Sequence, residues 1–131
     1  MHTRTRTLLG WIPAVLLIVM NLPAIFFKFV PQDPASQAAV MARQLGFADI
    51  QIPLGIVELL VVVLFAVPRT STVGVVLMAG YLSGALATNL THGIPVAEAA
   101  PLLVALALLA LSAWFRNPEL VARLRGRKIP A

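Results

Sequence analysis

The chain has 131 residues, of which 60% are apolar and 11% carry a charge, and its mean hydropathy is +0.92. Soluble domains are about 45–50% apolar and about 25% charged, so this composition excludes an ordinary water-soluble domain and predicts a membrane protein. The net charge is +5, but the basic residues lie at the termini and in one short turn, which argues against a nucleic-acid-binding face. The lack of cysteine excludes disulfides, thiol redox chemistry and Cys-ligated metal or iron–sulfur sites.

Four apolar spans follow one another along the chain, each near the ~20 residues that cross a bilayer as a helix. Their approximate bounds are 8–27, 50–67, 71–90 and 98–115. Short turns with Pro or Gly separate the second, third and fourth spans, so neighbouring helices are expected to be antiparallel. The sequence therefore predicts an all-α transmembrane four-helix bundle, a single integral membrane domain over residues 1–131, with a basic tail at 116–131.

The connection between the first two spans is long enough for a helix of its own. Asp33 and Pro34 can start that helix, and Gly46 can stop it. Arg43 would face water. The side chains expected to lie on the membrane surface are Val40, Met41, Leu45 and Phe47. These features predict a short interfacial helix between helices 1 and 2, with a plain ordered loop as the alternative.

The basic residues predict an orientation. Eight of the ten Lys and Arg residues lie on one side of the four spans: Arg4, Arg6, Arg69, Arg116, Arg123, Arg125, Arg127 and Lys128. Only Lys28 and Arg43 lie on the other side. The positive-inside rule then places both termini in the cytoplasm, in a multi-pass protein of a bacterial-type inner (plasma) membrane. A cleaved signal peptide is the competing interpretation of the first span, but "NLPAIFFKFV" gives a poor small-residue cleavage site and the apolar character continues past it.

Three spans each carry two polar residues seven positions apart. These pairs are Asn21 and Lys28, Gln51 and Glu58, and Tyr81 and Thr88. Residues seven apart share nearly one helix face, and polar side chains in lipid usually face the bundle interior. At about 1.5 Å per residue, Glu58 lies about 12 Å below the outer end of its span, near the level of the other polar pairs. The residues predicted to bind a ligand are therefore Asn21, Lys28, Glu58, Tyr81 and Thr88.

Glu58 has two interpretations at this stage. In the structural one, Glu58 is a buried acid that fixes helix register. Its partner is Lys28, a hydroxyl of Tyr81 or Thr88, or the backbone freed by Pro23. In the functional one, Glu58 carries a proton or holds a ligand, as acids inside membranes often do.

The third span contains a GxxxG pattern formed by Gly80 and Gly84. Small residues at this spacing allow close approach of two helix backbones. We therefore predict a helix-packing role for both glycines, with a binding role as the alternative.

No motif for catalysis or metal binding occurs in the chain. It has no GxxxxGK[ST] or GxGxxG phosphate loop, no serine nucleophile elbow and no HExxH helix. His92 stands alone in a turn. The sequence thus predicts no catalytic residue, no metal ligand and no cofactor, with a bound quinone or lipid as the alternative.

Several segments together resemble the DoxX-like family of small four-helix membrane proteins, over about residues 7–120. They are "LLGW" (8–11), Lys28, "QLGF" (44–47), "PLGIVELL" (53–60), "VPRTSTVGVVLMAGYLSGALATNLTHG" (67–93) and "WFRNPEL" (114–120). One departure is "MNLPAIFFK", where the family often has a Ser-Gly pair before the lysine. The resemblance implies a four-helix membrane fold. Relatives named DoxX or DoxD are associated with a thiosulfate:quinone oxidoreductase and other membrane redox assemblies, but a chain without cysteine should not perform sulfur chemistry itself.

Two functional hypotheses follow. The first is a non-enzymatic accessory or structural subunit of a membrane assembly, with membrane lipids and either a membrane-protein partner or a second copy as its partners, and with no nucleic acid. The second is a protein that binds or transports a small molecule, a quinone or a lipid, at a polar site in the outer half of the bundle.

Overall fold

The structure, a computed structural model, describes residues 3–128, and every regular element in that range is helical. The helices are α1 (Thr3–Phe29), α2 (Gln37–Gln44), α3 (Gln51–Ala66), α4 (Ser71–Thr91), α5 (Ala100–Arg116) and α6 (Pro118–Leu124), and a 3₁₀ turn (Ala48–Ile50) leads into α3. The all-α prediction is confirmed. The four predicted spans coincide with α1, α3, α4 and α5 to within a few residues.

Three helical segments of the described chain are long and apolar enough to cross a membrane: α1, α3 with its preceding 3₁₀ turn, and α4. Helices α5 and α6 pass the same test as a pair bent by 102°, which raises the number to four if the pair counts as one broken span. α1 continues through both Pro13 and Pro23.

Each of the four long helices packs against two others. α1 contacts α3 and α5, and α4 contacts the same two helices from the other side. The shared core consists of apolar side chains from all four, among them Leu17, Phe65, Met78 and Leu109. Large apolar side chains also cover the outside, for example Leu8 and Ile12 of α1, both more than 60% exposed. Apolar surface of this extent is stable in lipid and costly in water.

Two ends of the helix packing can be distinguished by charge. The basic end holds the start of α1, the α3–α4 turn and α6, and it carries the eight basic residues on one side of the predicted spans. The α2 end holds the end of α1, helix α2 and the 92–99 loop, with Lys28 and Arg43. These two names are used below.

Helix α2 forms between the first two spans, as predicted, but its start differs. Ser36 caps it by accepting a hydrogen bond from the Ala39 amide, whereas Asp33 accepts from the Ala35 amide in the turn before. Gly46 ends the helical segment with φ of +81°, a left-handed conformation that favours glycine.

The expected outward direction of the apolar α2 side chains is only partly correct. Val40 is exposed, as expected, but Leu45 is buried together with Ala39 and Ala42. Arg43 is exposed and donates to the Pro34 carbonyl. The alanine-rich face of α2 packs onto the protein, so Leu45 follows it inward.

Helix α6 follows a sharp bend that the sequence analysis did not predict. Pro118 occupies the first turn of α6, where its missing N–H costs nothing, and Asn117 is the joint between the two helices. The last part of the predicted basic tail, residues 129–131, lies outside the described residues.

Candidate functional site

A buried ion pair joins α1 to α3. Lys28 Nζ lies 2.7 Å from Glu58 Oε2, and the Tyr81 hydroxyl donates to the same oxygen at 3.1 Å. The Glu58 side chain is 3% exposed and that of Lys28 is 14% exposed. Lys28 therefore bends inward instead of extending to the surface, and three of the five predicted ligand-binding residues meet.

A close approach of two helices brings Lys28 to Glu58. Gly55 lies one turn before Glu58 on α3, and a Cβ atom there would stand 3.0–3.1 Å from the side chains of Phe29 and Lys28. Because Gly55 has no side chain, the end of α1 can pack directly on α3. Lys28 is then held within reach of the carboxylate one turn deeper.

The ion pair lines a cavity of about 710 Å³. Its walls come from α1 to α5 and from the segment between α2 and α3. Apolar side chains dominate them, including Met41, Leu45, Phe47, Leu54, Leu82 and Leu102. The polar lining residues are Lys28, Glu58, Tyr81, Thr88, Asn89 and Glu98. A large apolar cavity with a few convergent polar groups is the usual form of a small-molecule site.

The other two predicted site residues lie apart from the ion pair. Thr88 lines the cavity, but its hydroxyl donates to the Gly84 carbonyl of its own helix. Asn21 is buried, does not line the cavity, and donates to the Leu17 carbonyl one turn earlier. Shared depth and face thus indicated burial correctly for Asn21, but its side chain is satisfied within α1.

Gly80 and Gly84 both line the cavity, and both are exposed. A Cβ atom built on either glycine would meet no other atom within 4 Å. Neither glycine therefore packs against another helix of the described chain, and here they widen the cavity. Packing of this face against a second chain stays a prediction.

The close helix contacts of the described chain lie at other glycines. A Cβ atom on Gly74 would stand 2.2 Å from the Phe65 backbone nitrogen, and one on Gly10 would stand 2.5 Å from the Arg116 side chain. Neither position belongs to the GxxxG pattern. Gly74 allows the α3–α4 hairpin to close.

A second polar cluster lies at the basic end and was missed by the sequence analysis. Asn117 is buried, and its side-chain nitrogen donates to the hydroxyls of Ser71 and Thr72 at 3.2 and 3.1 Å. Thr72 in turn donates to the Glu119 carboxylate. Partial burial raises the pKa of Glu119, but hydrogen bonds from Thr72, its own backbone amide and Asn117 outweigh this, so the pKa lies below its ordinary value. The cluster fastens α6 to the start of α4.

Arg116 joins three helices beside this cluster. Its guanidinium stacks 4.0 Å from the Trp11 ring centre and 5.0 Å from that of Phe65. It also donates to the carbonyls of Phe65 and Ala66, at 3.1 and 3.4 Å, which end α3. The segment "WFRNPEL" contains Arg116, Asn117 and Glu119, but spacing alone did not reveal their partners.

The described residues contain no group of three or more His, Asp or Glu side chains that could hold a metal ion. The arrangement that remains is a cavity with an ion pair and a phenol, on a scaffold of apolar helices.

Comparison with known proteins identifies the family. The model of the DoxX-like family matches residues 12–112 of this chain. The chain belongs to the DoxX-like family. The resemblance predicted from the sequence is thereby confirmed. No curated protein and no solved structure matches the chain. Membership of the DoxX-like family, together with the apolar helices, makes this a multi-pass membrane protein.

Proposed function

We propose that this DoxX-like protein binds a small apolar molecule, a quinone or a lipid, in the cavity that Lys28 and Glu58 line. The observation that carries the proposal is the cavity itself, because its lining combines apolar side chains with a buried ion pair and with Tyr81, which donates to that pair. Such a molecule would enter from the membrane, and its binding would serve electron transfer or transport.

The proposal includes an arrangement in the membrane. The four long helices cross a bacterial-type inner membrane as a four-helix bundle, and α2 lies at the outer interface with Val40 towards lipid. Both termini and α6 lie in the cytoplasm, where the eight basic residues at the basic end satisfy the positive-inside rule. The cavity then opens in the outer half of the bundle, at the level of Glu58.

Extraction of the purified protein followed by mass spectrometry tests the proposal. The wild type should retain a stoichiometric lipid or quinone. Gly84→Phe should lose it, because the phenyl ring enters the cavity, whereas Glu58→Gln should reduce the retained amount. Val76→Phe is the matched control, since Val76 lies on α4, is 58% exposed and does not line the cavity. A wild type without any bound molecule, or a Gly84→Phe variant with unchanged content, contradicts the proposal.

A second candidate function is that of an accessory or structural subunit in a membrane assembly. The observation in its favour is the exposed pair Gly80 and Gly84, which matches a helix-packing pattern and at which an added Cβ would meet no atom of the described residues within 4 Å. The chain contains no cysteine, so a single Gly84→Cys substitution gives a clean cross-linking probe. Oxidation in native membranes should yield a disulfide-linked dimer if two copies pack there, and purification should recover a stoichiometric partner if another protein does.

A further inference from the structure

The ion pair that lines the cavity has hydrogen-bonding capacity that the described residues do not use. Lys28 and Tyr81 both donate to the same oxygen of Glu58, Oε2. The other oxygen, Oε1, has no hydrogen-bond partner among the described residues, yet it is not one of their buried atoms without a partner, so it is open to a molecule the size of water. A carboxylate oxygen can accept about two hydrogen bonds. The cavity therefore presents a free acceptor.

A donor is also left beside that acceptor. The Lys28 ammonium group has three N–H donors, and it directs them to Glu58 Oε2 at 2.7 Å and, more weakly, to the Ala24 carbonyl at 3.4 Å. One N–H remains. A ligand group that satisfies both ends must accept from an N–H and donate to a carboxylate oxygen.

The charge of the site further restricts the ligand. Lys28 and Glu58 neutralise each other, and the remaining acid in the lining, Glu98, is exposed. A charged head group placed beside a neutral, buried pair would lose its hydration without gaining an unpaired counter-charge, which is costly. The site therefore favours an uncharged polar group. A hydroxyl is uncharged and is both a donor and an acceptor.

We infer that the cavity selects an apolar molecule with a free hydroxyl group, a long-chain alcohol or a quinol, over the same molecule with that hydroxyl methylated or oxidised. The hydroxyl donates to Glu58 Oε1 and accepts from Lys28, and the hydrocarbon or ring lies against Leu54, Leu82 and Leu102. The inference rests on the proposed function, because it names the chemistry of the molecule that the cavity holds.

Matched ligand pairs test the inference on the purified full-length protein in lipid nanodiscs. Binding of 1-dodecanol is compared with binding of its methyl ether, by native mass spectrometry and by the shift in melting temperature. Loss of the hydrogen bond to a charged group should weaken binding of the ether about tenfold or more. A second pair, decylubiquinol and decylubiquinone, repeats the test with a quinol. Comparison of decylubiquinol with 1-dodecanol then shows whether a quinol or a lipid alcohol is the preferred source of the hydroxyl.

Two variants connect the preference to the ion pair. The double substitution Lys28→Met and Glu58→Met replaces the pair by apolar side chains of similar size, which proteins often tolerate, and it should bring the alcohol-to-ether ratio close to one. Tyr81→Phe leaves both Lys28 and Glu58 Oε1 in place, so the ratio should persist.

The outcomes separate the inference from the proposed function. Equal binding of the alcohol and its ether, or tighter binding of dodecyl phosphate, overturns the hydroxyl inference and leaves a lipid- or quinone-binding cavity intact. Failure of every probe to bind or to raise the melting temperature overturns both. A preference for the alcohol that survives the double substitution also overturns the inference, because the ion pair would not be its source.

Discussion

At the scale of single residues, Glu58 is the one acid inside an apolar run, and the structure shows which partners it has. Positions seven apart placed Lys28, Glu58 and Tyr81 on inward faces, and these three side chains do meet. The same rule also grouped Asn21 with these three residues. The Asn21 side chain instead donates a hydrogen bond to a backbone carbonyl of its own helix. Helix periodicity predicts the face and the depth of a polar side chain. Whether that side chain finds its hydrogen-bond partner on another helix or on its own helix depends on how the helices pack.

Removal of one member of the pair should destabilise the protein more than removal of both. Glu58→Gln leaves the Lys28 ammonium buried without a counter-charge, which costs about 3 kcal/mol of unfolding free energy. Replacement of both residues by Met removes two charges and fills their volume, so its stability should stay within about 1 kcal/mol of the wild type. Thermal unfolding in a mild detergent measures both. If the double variant is as unstable as the single one, the ion pair supplies net stability and this prediction is wrong.

At the scale of elements, the spans were predictable and the contacts between them were not. Apolar length and breaker residues located α1, α3, α4 and α5, since these signals are local. The GxxxG pattern pointed to Gly80 and Gly84, but the tight contact is at Gly74, which faces the Phe65 backbone across the hairpin. A small residue shows that another helix can approach closely, and only the fold shows whether one does. The 102° bend before α6 was not predicted for a similar reason, because it depends on hydrogen bonds from Asn117 to Ser71 and Thr72.

Gly74→Ala should therefore open or unfold the α3–α4 hairpin. The added methyl group would stand 2.2 Å from the Phe65 nitrogen, and backbone cannot move aside as a flexible side chain can. We expect a loss of about 3 kcal/mol in unfolding free energy. Gly84→Ala is the matched control on the same helix, with open space around the new methyl, and it should be neutral or slightly stabilising. Equal melting temperatures for the two variants would rule out the close contact.

The joint between α4 and α6 should depend on pH through Glu119. The pKa of this carboxyl in the folded protein lies below its ordinary value of 4.5, so folding favours the charged form. The stabilisation is complete above the ordinary value and is lost as the pH falls through the lowered folded pKa. The melting temperature of Glu119→Gln should thus fall less than that of the wild type when the pH is lowered from 6 to below 4.5. Parallel decreases in the two proteins would show that Glu119 has no such role.

At the scale of the whole molecule, charge and apolar surface are sorted along one axis. Eight of the ten basic residues lie at the basic end, and large apolar side chains cover the sides. The positions of the basic residues relative to the four apolar spans predicted this arrangement. It could not predict the cavity, because an empty volume between helices leaves no pattern in the order of residues.

The proposed orientation can be measured with single cysteines in this cysteine-free chain. Thr5 near the start of α1 and Gln37 at the start of α2 are both exposed, and they lie at opposite ends of the molecule. A membrane-impermeant maleimide should label Gln37→Cys in intact spheroplasts, and it should label Thr5→Cys only after the membrane is opened. The reverse pattern would place both termini outside and contradict the positive-inside assignment.

Arg116 has a consequence for how the chain is made. Arg116 donates hydrogen bonds to the carbonyls of Phe65 and Ala66, and its guanidinium stacks on Trp11. It is nevertheless synthesised about fifty residues after Phe65. At about 5–20 residues per second, the end of α3 is therefore synthesised roughly 2.5–10 s before Arg116. α1 also waits for its contact with α5, which is the last long helix to emerge. A nascent chain cut off before Arg116 would leave the Phe65 and Ala66 carbonyls without this donor and Trp11 without this stacking partner.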